Sequence, residues 1–262
     1  MKKYLRFYKQ SIKISLAYKM EFIFQMFSTV LEAAIMIFLW KKIYESTGNG
    51  LIGNFSLNEM IVYIVLTFTV GKALSSSVDS EVPYEVREGT IAMELIKPYS
   101  YILRHLFSDL GRVSMGSIGA IGILLVSLFL FDANLTLGNT VIFIISMILA
   151  YIITFAINMI VSLVSFYTTY IWGVIMFKSV VIAFLSGQLI PITFFPDSFA
   201  RILKILPFSY TNFYPIYMFM GKLSSKEIVV ALFIQLVWAV VLLISMKKLY
   251  TKALLRLQVA GG

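Results

Sequence analysis

Six stretches of about 20 residues in this chain are almost free of charge. Each is long enough to cross the roughly 30 Å apolar core of a bilayer as a helix. They are 22–40, 60–77, 115–131, 140–163, 171–190 and 228–246. Lipid offers no hydrogen-bond partners, so such segments must satisfy their own backbone. The pattern predicts an all-α membrane protein with six transmembrane helices. Hydrophobic residues make up 60% of the chain and charged residues 13%, against about 25% charged in ordinary soluble domains. A soluble enzyme could not cover its surface with so few charges. A disordered chain would need far lower hydrophobicity.

Six crossings put both ends on one side of the membrane. With the N-terminus inside, Lys41, Lys42, Arg201, Lys204, Lys222 and Lys226 lie outside, and the other sixteen of the 22 Lys and Arg lie inside. Excess basic residues mark cytoplasmic loops, so both termini are expected in the cytoplasm. The net charge of +9 is read as topology and contact with anionic lipid, with no nucleic-acid partner. The first run is too long for a signal peptide, and no small-residue cleavage site follows Trp40. No repeat or low-complexity linker divides the chain, so residues 1–262 are read as a single membrane domain with a cytoplasmic tail at 247–262.

The segments between the spans have their own patterns. In residues 1–21, Tyr4, Leu5, Tyr8, Ile12 and Leu16 recur near one helical face, with most lysines elsewhere. This predicts an amphipathic helix lying in the interface. The cytoplasmic loop 78–112 holds six of the 13 acidic residues: Asp79, Glu81, Glu85, Glu88, Glu94 and Asp109. Gly89-Thr90 supplies a turn, Ile91–Ile96 a short helix, and Lys97-Pro98 its stop. The loop is either a solvated run of charge or a docking surface for a cytoplasmic partner. The outer segment 191–225 is too apolar for a free loop, yet Pro191, Pro196, Pro207 and Pro215 break it into pieces. Short helices that dip into the outer leaflet and return account for both properties. Its Phe208, Tyr210, Phe213, Tyr214, Tyr217 and Phe219 suit the bilayer interface.

Several chemistries are missing. The chain has no cysteine and one histidine, His105, so thiolate and histidine metal sites are excluded. Gly71-Lys72 and Gly221-Lys222 lack the upstream glycine and following Ser/Thr of a phosphate loop. Gly116, Gly119 and Gly122 form a stripe suited to close helix packing. No carboxylate pair at catalytic spacing lies within the spans, and the chain is read as non-catalytic. Glu32 is the one acid deep in an apolar run. It is either functional or engaged with a neighbouring helix. Lys178 is expected to snorkel to the surface.

Three stretches resemble a known family. They are Glu85-Val86-Arg87-Glu88-Gly89-Thr90-Ile91-Ala92 running on to Leu95-Ile96-Lys97-Pro98, then Leu185–Pro191 with Phe194-Phe195-Pro196 and Leu206-Pro207-Phe208, and the closing Val259-Ala260-Gly261-Gly262. Together they are similar to the bacterial ABC-2 type transporter permeases, membrane subunits that work beside a separate ATPase. The resemblance implies two permease subunits, identical or related, above two ABC ATPase subunits that hold ATP and Mg. This chain would itself bind no cofactor. The loop after the second span would be a cytoplasmic coupling helix, with Glu85, Arg87, Glu88, Gly89, Thr90, Met93, Lys97 and Pro98 as contact candidates. The segment after Gly187 would form re-entrant extracellular helices, with Gly187, Pro191, Phe195, Pro196, Pro207, Phe208 and Pro215 at the gate. The implied activity is export of a drug, peptide or amphiphile across the bacterial cytoplasmic membrane. The alternative is an ion-coupled secondary transporter built around Glu32.

Overall fold

The computed structural model describes residues 1–48, 50–53, 55–130, 137–168 and 170–256, with backbone only for 123–130 and 137. The closing Val259-Ala260-Gly261-Gly262 and the end of the third apolar run at Phe131 lie outside the described residues.

The fold is helical. An amphipathic α1 (Lys2–Ala17) turns at Tyr18 into α2 (Lys19–Thr47). A two-stranded hairpin (Leu51–Ile52 with Phe55–Ser56) leads into α3 (Leu57–Ala73). Short helices α4 (Val78–Arg87) and α5 (Ile91–Leu95) precede the long α6 (Tyr101–Leu130) and α7 (Leu137–Ser162). Then come α8 (Trp172–Leu185), α9 (Asp197–Leu203), α10 (Phe213–Phe219) and α11 (Ser225–Leu254). Two helix starts are fixed by reciprocal caps. Glu59 accepts from the Ser56 amide at 2.8 Å, and Glu227 does the same for Ser224 at 2.8 Å. Each pairing satisfies amides that would otherwise end unpaired.

Among the described residues, four helical segments are long and apolar enough to cross a membrane: Lys19–Thr47, Leu57–Arg87, Gly138–Phe166 and Ser225–Leu254. In Leu57–Arg87 the apolar part is α3, because α4 carries Asp79, Glu81 and Glu85. Where sequence alone places a span over 171–190, α8 covers 14 residues, about 21 Å of rise. That is short of a bilayer core.

Burial runs opposite to a soluble protein. On α2, Ile23, Phe27, Leu31, Ile35 and Phe38 all face outward, and on α11 so do Val229, Phe233, Val237 and Ile244. In water such faces would drive aggregation; in a bilayer they meet acyl chains. The centre is α3, whose Met60, Tyr63, Ile64, Leu66, Thr67 and Val70 are buried. Glycines let helices close in on α6. A Cβ on Gly111 would stand 2.5 Å from the Tyr8 carbonyl oxygen of α1. One on Gly119 would meet Met26 Sδ of α2 at 2.4 Å, and one on Gly116 the Lys72 carbonyl oxygen of α3 at 3.5 Å. The glycine stripe thus serves packing at Gly119 and Gly116, while Gly122 has open space around it.

Candidate functional site

Two regions gather the residues singled out by sequence. The first is the elbow made by α4 and α5. Gly89 turns the chain between them at φ 70, a conformation a side chain would strain. The elbow is pinned to the start of α6 by ions. Arg104 pairs with Glu85 of α4, and its Nε lies 3.2 Å from Glu94 of α5. Tyr101 donates to Glu85 at 2.7 Å, and Tyr99 to Glu94 at 2.6 Å. Arg104 Nη2 also lies 2.8 Å from His105 Nε2. The same Nε2 lies 3.4 Å from Glu85. Burial, opposed by the bond to Glu85, pushes the His105 pKa down.

Further along α6, Arg112 pairs with Glu81 of α4. Fully buried Asp109 accepts from the Ser77 amide at 3.1 Å and from Tyr151 at 2.9 Å. Burial raises Glu85, but bonds from His105 and Tyr101 and the charge of Arg104 outweigh it and hold the carboxyl down to about 2. Glu94 is lowered too, as Lys97, Tyr99 and Arg104 outweigh the cost of burial.

This anchoring sorts the contact candidates. Arg87, Glu88, Thr90, Met93, Lys97 and Pro98 stand exposed, as do Tyr84 and Ile96. Glu85 turns inward as part of the anchor, and Gly89 forms the bend. The exposed face is therefore mixed: apolar Tyr84, Met93 and Ile96 beside opposite charges on Arg87 and Glu88. Sequence alone singled out neither Arg104 nor Tyr101. The signal was there in a basic residue ten positions after Glu94, but nothing in the spacing says that the chain folds back.

The segment after α8 packs down one side of α3. Tyr63 donates to the Gly187 carbonyl at 2.6 Å, and Asn212 reaches Thr67 Oγ1 at 3.5 Å. Gln188 Nε2 would stand 3.6 Å from a Cβ on Gly71. Tyr63, Thr67 and Gly71 lie at i, i+4 and i+8 on one helical face. The 187–212 turn is thus carried deep along α3. Of the gate candidates, Gly187, Pro191, Pro207 and Pro215 are buried, Phe195 and Phe208 half-buried, and Pro196 exposed. Phe195 packs edge-on to Phe184 at 5.2 Å and to Phe199 at 5.3 Å.

The aromatic cluster assigned to the interface turns inward. Tyr210, Phe213, Tyr217 and Phe219 are buried. Tyr210 stacks on Tyr214 at 4.5 Å and gives its hydroxyl proton to the Lys204 carbonyl at 2.8 Å. Such partners let tyrosine be buried. Lys178 is likewise engaged rather than free at a surface, paired with Asp79 and bonded to Asn158 at 2.7 Å.

The second region is a mixed groove of about 360 Å³ between α2 and α3, with Phe24 and Phe68 among its lining residues. Glu21, Gln25, Ser28, Thr29 and Glu32 of α2 line one wall. Gly71, Lys72, Ser75 and Gln188 line the other. Lys72 donates to Gln25 at 2.7 Å, and Gln25 donates on to Glu21 at 3.1 Å. Glu32 lies on this wall, exposed, with no hydrogen bond or ion pair among the described residues. The described residues also contain no group of His, Cys, Asp or Glu that could hold a metal ion.

No curated protein matches the chain. The profile of the ABC-2 family transporter proteins matches residues 30–261, which takes in α3 to α11, most of α2, the elbow and the segment after α8. With helices built to cross a bilayer several times, a multi-pass membrane protein results, and the chain belongs to the ABC-2 transporter family.

Proposed function

We propose that this chain is the permease subunit of an ATP-driven exporter of the bacterial cytoplasmic membrane. It pairs with a second permease, a copy of itself or a relative. Two ABC ATPase subunits bind ATP and Mg below, and six crossings, with the bilayer thinned locally around the short α8, leave both termini in the cytoplasm. α1 lies in the inner interface, and the elbow is the coupling helix. Gly187 and the helices after it close the outer end of the path. The observation that carries this reading is the elbow itself. The two short helices and their turn show Met93, Ile96, Arg87 and Glu88 outward while ion pairs bind their back to α6. A surface held so rigidly can pass a push to α6 without bending. Family membership supports the rest, because ABC-2 membrane proteins work with ABC ATPases.

The test is a photo-crosslinker at Met93 in membranes of the native host. Capture of a phosphate-loop ATPase there, lost on reversing charge at Arg87 or Glu88 while the chain still inserts, is the expected result. Capture of the ATPase only at other surfaces would move the docking site. Transport driven by a proton gradient without ATP would replace the mechanism with an ion-coupled one.

A further inference from the structure

We infer that the groove between α2 and α3 binds the charged head of a lipophilic cation, with Glu32 as its counter-ion. This rests on the permease reading and adds a substrate class to it. Glu21, Gln25, Ser28 and Glu32 fall at i, i+4, i+7 and i+11 of α2 and share one face. Away from that face α2 turns Ile23, Phe27, Leu31 and Ile35 outward. From Glu21 to Glu32 the stripe rises about 16 Å, so it reaches from one end of the apolar run to its middle. Glu32 is ten residues into the run that begins at Phe22.

The two ends of the groove differ. At the lower end charge is already answered, since Gln25 bridges Glu21 and Lys72. Higher up, Glu32 lies on the same wall with no ion pair in contact and only the longer-range attraction of Lys72, and Gln188 lines the groove from across α3. A carboxylate at mid-span costs a few kcal/mol unless something compensates its charge. A hydrated groove lowers that cost, and a cation removes it. Amides and hydroxyls on the walls suit a polar head, while the outward apolar residues of α2 suit a greasy body left beside lipid. Lys72, the one base among the lining residues, repels the same cation from below. The two charged residues therefore act in opposite directions on one ligand, which makes the site testable from both sides.

The experiment uses the full chain in phosphatidylcholine nanodiscs, without ATPase or nucleotide. The probes are tetraphenylphosphonium and tetraphenylborate, similar in shape and opposite in charge, with empty discs as background. The wild type should prefer the phosphonium. Glu32→Gln should weaken phosphonium binding by roughly tenfold and leave the borate unchanged or tighter. Glu32→Asp should retain the preference. Lys72→Gln should tighten phosphonium binding and weaken borate. Equal phosphonium affinity in wild type and Glu32→Gln, or a wild type that prefers borate, overturns the inference. Should Glu32→Gln fail to insert, the Lys72→Gln pair of measurements decides alone: no change in either probe overturns it. Binding is read on this chain by itself, so loss of the ATPase reading leaves the result standing, and the reverse also holds.

Discussion

Arg104 is the residue on which the elbow should hinge. Its guanidinium meets Glu85 on α4 and Glu94 on α5 from a position on α6, and all three side chains are less than a fifth exposed. Arg104→Gln keeps part of the stem and removes the charge. Glu94 would retain Lys97 at 2.6 Å and Tyr99, and Glu85 would retain Tyr101. The loss is therefore below the 3–5 kcal/mol of breaking a fully buried pair. The charge-assisted hydrogen bond to Glu85, at about 1.5–3 kcal/mol, together with the ion pair to Glu94 puts it near 3 kcal/mol. That loss falls on local opening of the elbow, because α5 has little burial of its own beyond Ile91. An opening equilibrium shifted by about 3 kcal/mol is roughly a hundredfold. Hydrogen exchange reads it directly. The amides of Met93 and Glu94 bond the Thr90 carbonyl at 3.1 and 3.3 Å, and they should exchange about a hundred times faster in the variant. Amides in the middle of α3 should not change. Unaltered exchange in α5, or an equal rise in α3, would refute the idea that Arg104 pins this segment in particular. Under the coupling role proposed for the elbow, the complex carrying this variant should show less transport per ATP hydrolysed by its ATPase subunits.

Three other outcomes follow from the geometry. Gly111→Ala should destabilise by about 1–3 kcal/mol, because the new Cβ meets the Tyr8 carbonyl and cannot push backbone aside, whereas Gly119→Ala meets the movable ends of Met26 and Phe22 and should cost less; equal shifts in thermal midpoint would contradict this. Because the chain lacks cysteine, Thr90→Cys and Lys226→Cys report topology cleanly, with an impermeant maleimide on intact cells expected to label only the second. Acid should open the elbow in two stages, read as faster exchange in α5. Burial lowers the His105 pKa, so below its ordinary 6.5 the opened state takes up a proton the closed state refuses, and stability falls. Glu85 and Glu94 are held below their ordinary 4.5 in the closed state, so their contribution is whole above that pH; it wanes beneath it, and for Glu85 it is gone near 2. Glu94→Gln should shrink the lower stage and leave the upper one.

What could be read from sequence divides by the range of the force involved. The apolar runs at 22–40, 60–77, 140–163 and 228–246 fall within helical segments long enough to span, because bilayer thickness acts on each run locally. The capping pairs Ser56–Glu59 and Ser224–Glu227 are equally local. The end of α8 at Leu185 is not, since Leu189 and Ile190 continue the apolar run. What stops the helix is Gly187 at φ 81, held by the Tyr63 hydroxyl from 124 residues away. The inward turn of Tyr210 has the same origin, in a buried cluster with Ile153 and Ile157 of α7 and Ala231 of α11 that only the folded chain supplies. Glu32 and Lys72 show the limit most plainly. Each interrupts an apolar run, and each alone reads as an oddity of its own helix. Only the packing of α2 on α3 sets them along one groove, with Glu32 above and Lys72 below, the latter linked through Gln25 to Glu21. Charge placed at such a cost is specified by the ligand or partner it must meet, not by the helix that carries it. For that reason, charge-swapped probes at Glu32 and Lys72 can reveal the cargo's charge, which the fold alone does not.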